Sequence, residues 1–132
     1  MLTISPDQRD AMVAACIRAL PHEGCGLLLG TPEGVVVDVI ESENVAASAK
    51  VYEIDSRVLL ATFRRADDEG LEVLGPFHSH THSEAYPSPT DRSQAPDPAW
   101  HYVLVSLRDV PAIVRSFRIV DETVTEEPVV MV

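Results

Sequence analysis

Leu71-Glu72-Val73-Leu74-Gly75-Pro76-Phe77-His78-Ser79-His80 is the segment that decides the fold. It reads as an apolar strand ending in two histidines one residue apart. Residues i and i+2 of a strand project from one face, about 6.6 Å apart along the chain. The imidazoles of His78 and His80 can therefore converge on one cation. Before this strand, Asp55 or Ser56 can cap a helix running to about Asp68, with Leu59, Phe63 and Ala66 at core-facing spacing and Gly70 as its stop. After it, Pro87, Pro89, Pro96 and Pro98 exclude long regular structure.

Further out, Ser5-Pro6-Asp7-Gln8 combines a cap, a proline suited to the first helical position and a glutamine that can complete a capping box. The helix it opens should reach about Leu20, with Met12, Cys16, Ala19 and Leu20 on one side and Val13 and Ile17 widening the apolar stripe. Gly26-Leu27-Leu28-Leu29-Gly30, a Thr31–Gly34 turn and Val35–Ile40 read as a hairpin of buried strands. His101–Leu107, Ala112–Val120 and Thr123–Val130 read as further strands. Helix, strands, helix, strands predicts a mixed α/β fold with a sheet packed against helices. At 132 residues, one compact domain over 1–132 is expected.

Composition narrows the function. A formal net charge of -11 repels phosphate backbones and argues against a nucleic-acid partner. No apolar run approaches the ~20 residues of a membrane span. The N-terminus lacks the basic start and apolar stretch of a secretory signal, so the expected location is cytoplasmic. Cys16 and Cys25 are too few for a disulfide framework and are expected as buried thiols.

Zinc suits imidazole and carboxylate ligands, and a catalytic zinc site needs three protein ligands and one open position. Asp91, in Ser88-Pro89-Thr90-Asp91, is the third ligand chosen, although Ser-Pro-x-Asp is also a plain helix cap. His82 would join His78 and His80 only if the strand continued; Glu84 and Pro87 suggest a loop instead, making His82 a solvated residue or a substrate contact. A water held by zinc has its pKa lowered to near ~7, and a carboxylate that is not a ligand can take its proton. Glu23, in His22-Glu23-Gly24-Cys25-Gly26, is the candidate, against the bland reading of an exposed acid. Among the arginines, Arg92 beside Asp91 is the choice for a substrate carboxylate.

A glutamate before a glycine-flanked strand, then His78-Ser79-His80, seven residues, Ser88, two residues and Asp91, resembles the JAMM (MPN+) zinc metalloprotease family. The resemblance implies a cytidine-deaminase-like, three-layer α/β fold and one Zn2+ held by His78, His80 and Asp91. It further implies that Glu23 activates the water and that Ser88 stabilises the oxyanion. Within the family the chain is most similar to the Mec-type bacterial CysO-cysteine peptidases, over His22–Gly26, Tyr52–Ser56, His78–Asp91, His101–Ser106 and Arg115–Pro128, with residues 30–50 matching loosely. That likeness implies hydrolysis of the amide bond between the C-terminal glycine of a ubiquitin-like sulfur carrier protein and cysteine. An isopeptidase or C-terminal trimmer of another carrier, and an MPN-type interaction scaffold, are the alternatives. A homodimer stays open.

Overall fold

The structure, a computed structural model, describes residues Met1–Val132. In chain order its elements are β1 (Leu2–Ile4), α1 (Pro6–Ala19), β2 (Cys25–Gly30), β3 (Val36–Ser42), α2 (Ser56–Glu69), β4 (Glu72–His80), α3 (Pro89–Ser93), β5 (Tyr102–Ser106), β6 (Ile113–Val120), β7 (Thr123–Glu127) and β8 (Val129–Met131). Every residue of β4 after Glu72 is buried, which a strand achieves only inside a sheet covered on both faces. Its six-stranded sheet runs β3-β2-β4-β5-β6-β7, with β4 antiparallel to β2 and parallel to β5. The mixed α/β fold expected from the sequence is the one observed.

Strand alternation separates two cores. Leu28 packs with Met12, Ala15 and Cys16 of α1, whereas Leu27 and Leu29 pack with Ala66 of α2. Neighbouring residues of one strand face opposite sides, so the helices sandwich the sheet in three layers. A bulge between Leu28 and Leu29 opposite Gly75 and Val73 inserts Leu74 into β4. Beyond it the parity changes: Val73 faces the α2 layer and Leu74 the α1 layer, then Phe77 faces α1 and Pro76 lines the same wall as Leu59 of α2. His78 and His80 share that α2 face. Gly75 takes φ 142°, and a Cβ there would lie 2.1 Å from the carbonyl of His101, so only glycine fits the bulge.

Several local expectations are corrected. In α1, Ile17 is exposed and Leu20 serves as the C-cap; the buried face is Met12, Ala15 and Cys16. Phe63 is 42% exposed because α2 buries Thr62 and Ala66, leaving the phenyl ring at the edge of that face, stacked on Trp100. The single strand expected over Thr123–Val130 is two. Pro128 has no N–H to continue a ladder; β7 pairs with β6, while β8 pairs in parallel with β1 in a separate two-stranded sheet. β1 carries no local sequence signal, since its partner lies at the other end of the chain.

Candidate metal centre

The register of β2 against β4 assembles the site. Cys25 pairs with His78, and the ladder ends where Ser79 N–H donates to the Gly24 carbonyl at 3.0 Å and Gly24 N–H to Ser79 Oγ at 2.8 Å. Counting one step further puts Glu23 beside His80. Ser79 points toward the α1 layer, leaving the two histidines on the opposite face with Glu23 just ahead of β2, at the end of these interior strands.

Asp91 reaches the histidines from α3. Ser88 caps this helix and Pro89 occupies its first turn. Asp91 N–H donates to Ser88 Oγ at 3.0 Å, and Ser88 N–H donates to Asp91 Oδ2 at 2.9 Å. The helix-cap reading and the ligand reading of this segment thus describe one geometry: the capping box aims the carboxylate. Asp91 Oδ2 lies 3.0 Å from His80 Nε2 and 3.2 Å from His78 Nε2.

Three donor atoms, one from each of His78, His80 and Asp91, lie within 4.8 Å of one another. His80 Nδ1 is 2.8 Å from the Glu84 carbonyl, which only accepts, so Nδ1 carries the proton. In a neutral ring, Nε2 then presents its lone pair to a carboxylate oxygen, an arrangement that is favourable only with a cation or proton between them. The 3.2 Å contact of His78 Nε2 lacks hydrogen-bond geometry, leaving that nitrogen buried without a partner, as is Glu23 Oε1. Two imidazoles and a carboxylate are a donor set that suits zinc. The His78 ring is further fixed by stacking on Tyr52, centroids 4.1 Å apart.

Burial pushes the Glu23 carboxyl up to about 8, with His80 opposing and Asp91 adding to the rise. Asp91 is also buried, yet the imidazoles of His78 and His80 held against its carboxylate keep it well below the usual carboxylate range. Burial lowers the proton affinity of His78. A neighbouring acid with a raised pKa beside a fixed anion and two imidazoles is an arrangement suited to moving a proton.

Two cavities of about 370 Å³ each flank the cluster. One is largely apolar, with Tyr52, Ile54, Leu59, Pro76 and Trp100 in its walls and Asp91 at its end. The other is polar and is lined by Glu23, Lys50, His80, His82 and Ser88 among others. Ser88 Oγ accepts from Asp91 N–H, which leaves its hydroxyl proton to donate. β4 stops at His80; His82 lies beyond it, its Nδ1 2.8 Å from Thr81 Oγ1, outside the donor cluster but on the wall of the polar cavity. Arg92 lies on α3 and lines neither cavity. Cys25 points at the carbonyls of Ser42 and Glu43, and burial pushes its thiol up to about 12, far from a reactive thiolate.

Sequence reasoning passed over Asn44. Its buried side-chain amide donates to the carbonyls of Glu23 at 3.0 Å, Val51 at 3.0 Å and Ser48 at 3.3 Å, while Glu23 N–H donates to Ser48 O at 2.8 Å. These bonds bind the loop before α2 to the backbone of Glu23. An asparagine in a loop carries no local signal of such a role.

The geometry has counterparts among known proteins. Residues 5–120 match the family described as prokaryotic homologs of the JAB domain. The chain is 45% identical over 132 residues, 98% of its length and 90% of the relative's, to the CysO-cysteine peptidase of Mycobacterium tuberculosis strain H37Rv. It is 31% identical over 111 residues, 80% of each protein, to the desampylase of Haloferax volcanii. The solution structure of protein DSY2949 from Desulfitobacterium hafniense superposes with a TM-score of 0.91 at 33% identity, covering 99% of this chain and 92% of that one. A match running from the cap of α1 to the end of β6, with a relative nearly half identical from end to end, establishes that the chain belongs to the prokaryotic branch of the JAB (JAMM/MPN) family and is a peptidase.

Proposed function

We propose that this chain is a zinc-dependent peptidase of the cytoplasm that hydrolyses the amide bond between the C-terminal glycine of a ubiquitin-like sulfur carrier protein and cysteine. The carrying observation is the buried, unpartnered carboxylate of Glu23 beside the three-donor cluster of His78, His80 and Asp91. The likeness to a CysO-cysteine peptidase over nearly the whole chain supports the substrate class. In this reading His78, His80 and Asp91 hold one zinc ion. Zinc supplies Lewis acidity toward the scissile carbonyl and the attacking water.

Glu23 accepts the proton of that water and delivers it to the leaving nitrogen. Buried beside the cluster with one oxygen unpartnered, this carboxylate can hold the proton between those two steps. The Ser88 hydroxyl donates to the oxygen on which charge develops, a role worth a few kcal/mol where such donors have been removed in other enzymes, roughly 3. An interaction scaffold has no use for an unpartnered buried carboxylate, which costs stability.

The test is cleavage of a carrier–cysteine adduct by the zinc-loaded protein. One zinc per chain and release of free cysteine are expected. His78→Ala and Asp91→Ala should lose both the metal and the activity. A purified protein that takes up no zinc would sink the reading. The 31% likeness to a desampylase favours a second reading, an isopeptidase or trimmer acting on another carrier's conjugates. A panel of carriers with different terminal residues separates the two, since a cysteine-specific enzyme processes one of them.

A further inference from the structure

Lys50 is the chain's single lysine, in a protein of net charge -11. Most of the arginines are engaged in ion pairs; Lys50, Arg64 and Arg92 are not. Of these three free cations, only Lys50 lines a cavity flanking the cluster, and it is the cavity that also holds Glu23, His80 and Ser88.

Its backbone is tied to Glu23 from both sides. Ser48 accepts from Glu23 N–H through its carbonyl, and from Lys50 N–H through its hydroxyl at 3.0 Å. Val51, the next residue, is bonded through its carbonyl to the Asn44 amide that also holds Glu23. The lysine stem is free to move while its base is fixed relative to the proton-carrying carboxylate.

The two cavities differ in a way that gives the substrate a direction. Hydrolysis adds a hydroxyl to the acyl carbon and a proton to the leaving nitrogen, and that proton comes from Glu23. The leaving residue therefore sits on the Glu23 side, in the polar cavity. If it is the last residue of its chain, it carries a free α-carboxylate one carbon from that nitrogen. Lys50 supplies the cation to meet it, with Thr81 and Ser83 hydroxyls on the same wall. The opposite cavity has the carboxylates of Glu53 and Asp91 and no cation, and its apolar walls suit the carrier's extended tail.

We infer that Lys50 is the binding residue for the free α-carboxylate of the released amino acid, which makes the enzyme selective for a single terminal residue over an internal or side-chain amide. This rests on the peptidase reading above and sharpens its substrate: a protein lysine joined through its side chain offers no such carboxylate at that position.

The experiment uses the zinc-loaded enzyme with two substrates, a carrier–cysteine adduct with a free carboxylate and the same adduct as its carboxamide. Wild type should prefer the acid by about tenfold or more in kcat/KM, carried by KM, as expected of a hydrogen-bonded charge pair. Lys50→Met should bring the ratio to within about threefold of one, and Lys50→Arg should restore part of it. Lys50 is exposed, so both variants should fold. Binding of the two adducts to Glu23→Gln protein, read by calorimetry, should give the same preference in Kd without turnover, and Lys50→Met in that background should erase it. An acid preference that survives Lys50→Met, or its absence from wild type in both turnover and binding, overturns the inference. If wild type cleaves neither adduct yet Glu23→Gln protein binds the acid form through Lys50, the carboxylate site stands and the hydrolytic reading falls.

Discussion

Glu23 and Glu127 are both buried, at 3% and 8% exposure, and their environments are opposite. Glu127 is saturated: it accepts from Ser116 Oγ at 2.7 Å, from the N-terminal ammonium at 2.9 Å, from Arg118 at 3.2 Å and from His101 Nδ1. Burial alone would raise it, but the hydrogen bonds from His101, the ammonium and Ser116 outweigh that and bring it down to about 2. Glu23 has an oxygen with no partner and is pushed in the other direction. A buried carboxylate whose bonds are complete joins β7 to β6, to His101 just ahead of β5 and to the Met1 ammonium; one whose bonds are missing is available for chemistry. On the proposed reading, two glutamates of one chain divide between holding the fold and using it.

The contrast breaks most visibly through Glu23→Gln. Turnover should fall about a thousandfold, the range typical of a lost general base. The thermal midpoint should stay level, since the Glu23 oxygen makes no bond that the amide would lose. A variant retaining wild-type kcat would end the assignment of Glu23. Glu127→Ala should do the reverse: unfolding free energy falls by about 3 kcal/mol, as for breaking a buried pair, while kcat of the folded protein changes less than about twofold. Denaturant titration and steady-state kinetics on the same samples read both.

Acid sharpens the comparison. Glu127 binds its proton less tightly in the folded than in the unfolded chain, where its ordinary value is 4.5. Its stabilisation is therefore complete above pH 4.5 and is lost as pH falls toward 2, a total on the order of 3 kcal/mol. The stability gap between wild type and Glu127→Gln should close across that window; a gap independent of pH would show that the charge is not what stabilises. Smallest, Asn44→Ala should cost about 2 kcal/mol, since it leaves buried carbonyls unpaired. It should also raise KM severalfold by loosening the loop that bears Lys50, an effect that Asn44→Ala shares with no surface substitution on α2.

The site was more legible in the sequence than its surroundings. His78, His80 and Asp91 could be grouped from local rules, strand alternation for the histidines and a capped helix start for the aspartate, whereas the role given to Ser88 came with the resemblance. Glu23 was a candidate from its place ahead of a glycine-flanked strand, but what brings it to His80 is the pairing of β2 with β4 across more than fifty residues. Asn44 and Lys50 lie in the loop between β3 and α2, and their significance is entirely tertiary. The fold followed the same division. The glycine-bounded Leu27–Leu29 run and the α1 cap were readable from neighbours alone, whereas β1 depends on a partner at the far terminus and the exposure of Phe63 on where α2 meets the sheet. Periodicity finds an apolar face but not the arc of it that another element covers.

The pairing of Cys25 with His78 has one more consequence. Shifting that ladder by a single position would turn Glu23 to the wrong side of the sheet and bring glycine or histidine opposite His80, without deleting any atom of the apparatus. Inserting one residue between Glu23 and Cys25 should thus silence the protein as thoroughly as removing the acid, though the inventory of side chains is untouched. Cleavage in this molecule doubles as a gauge of whether two strands have zipped in step.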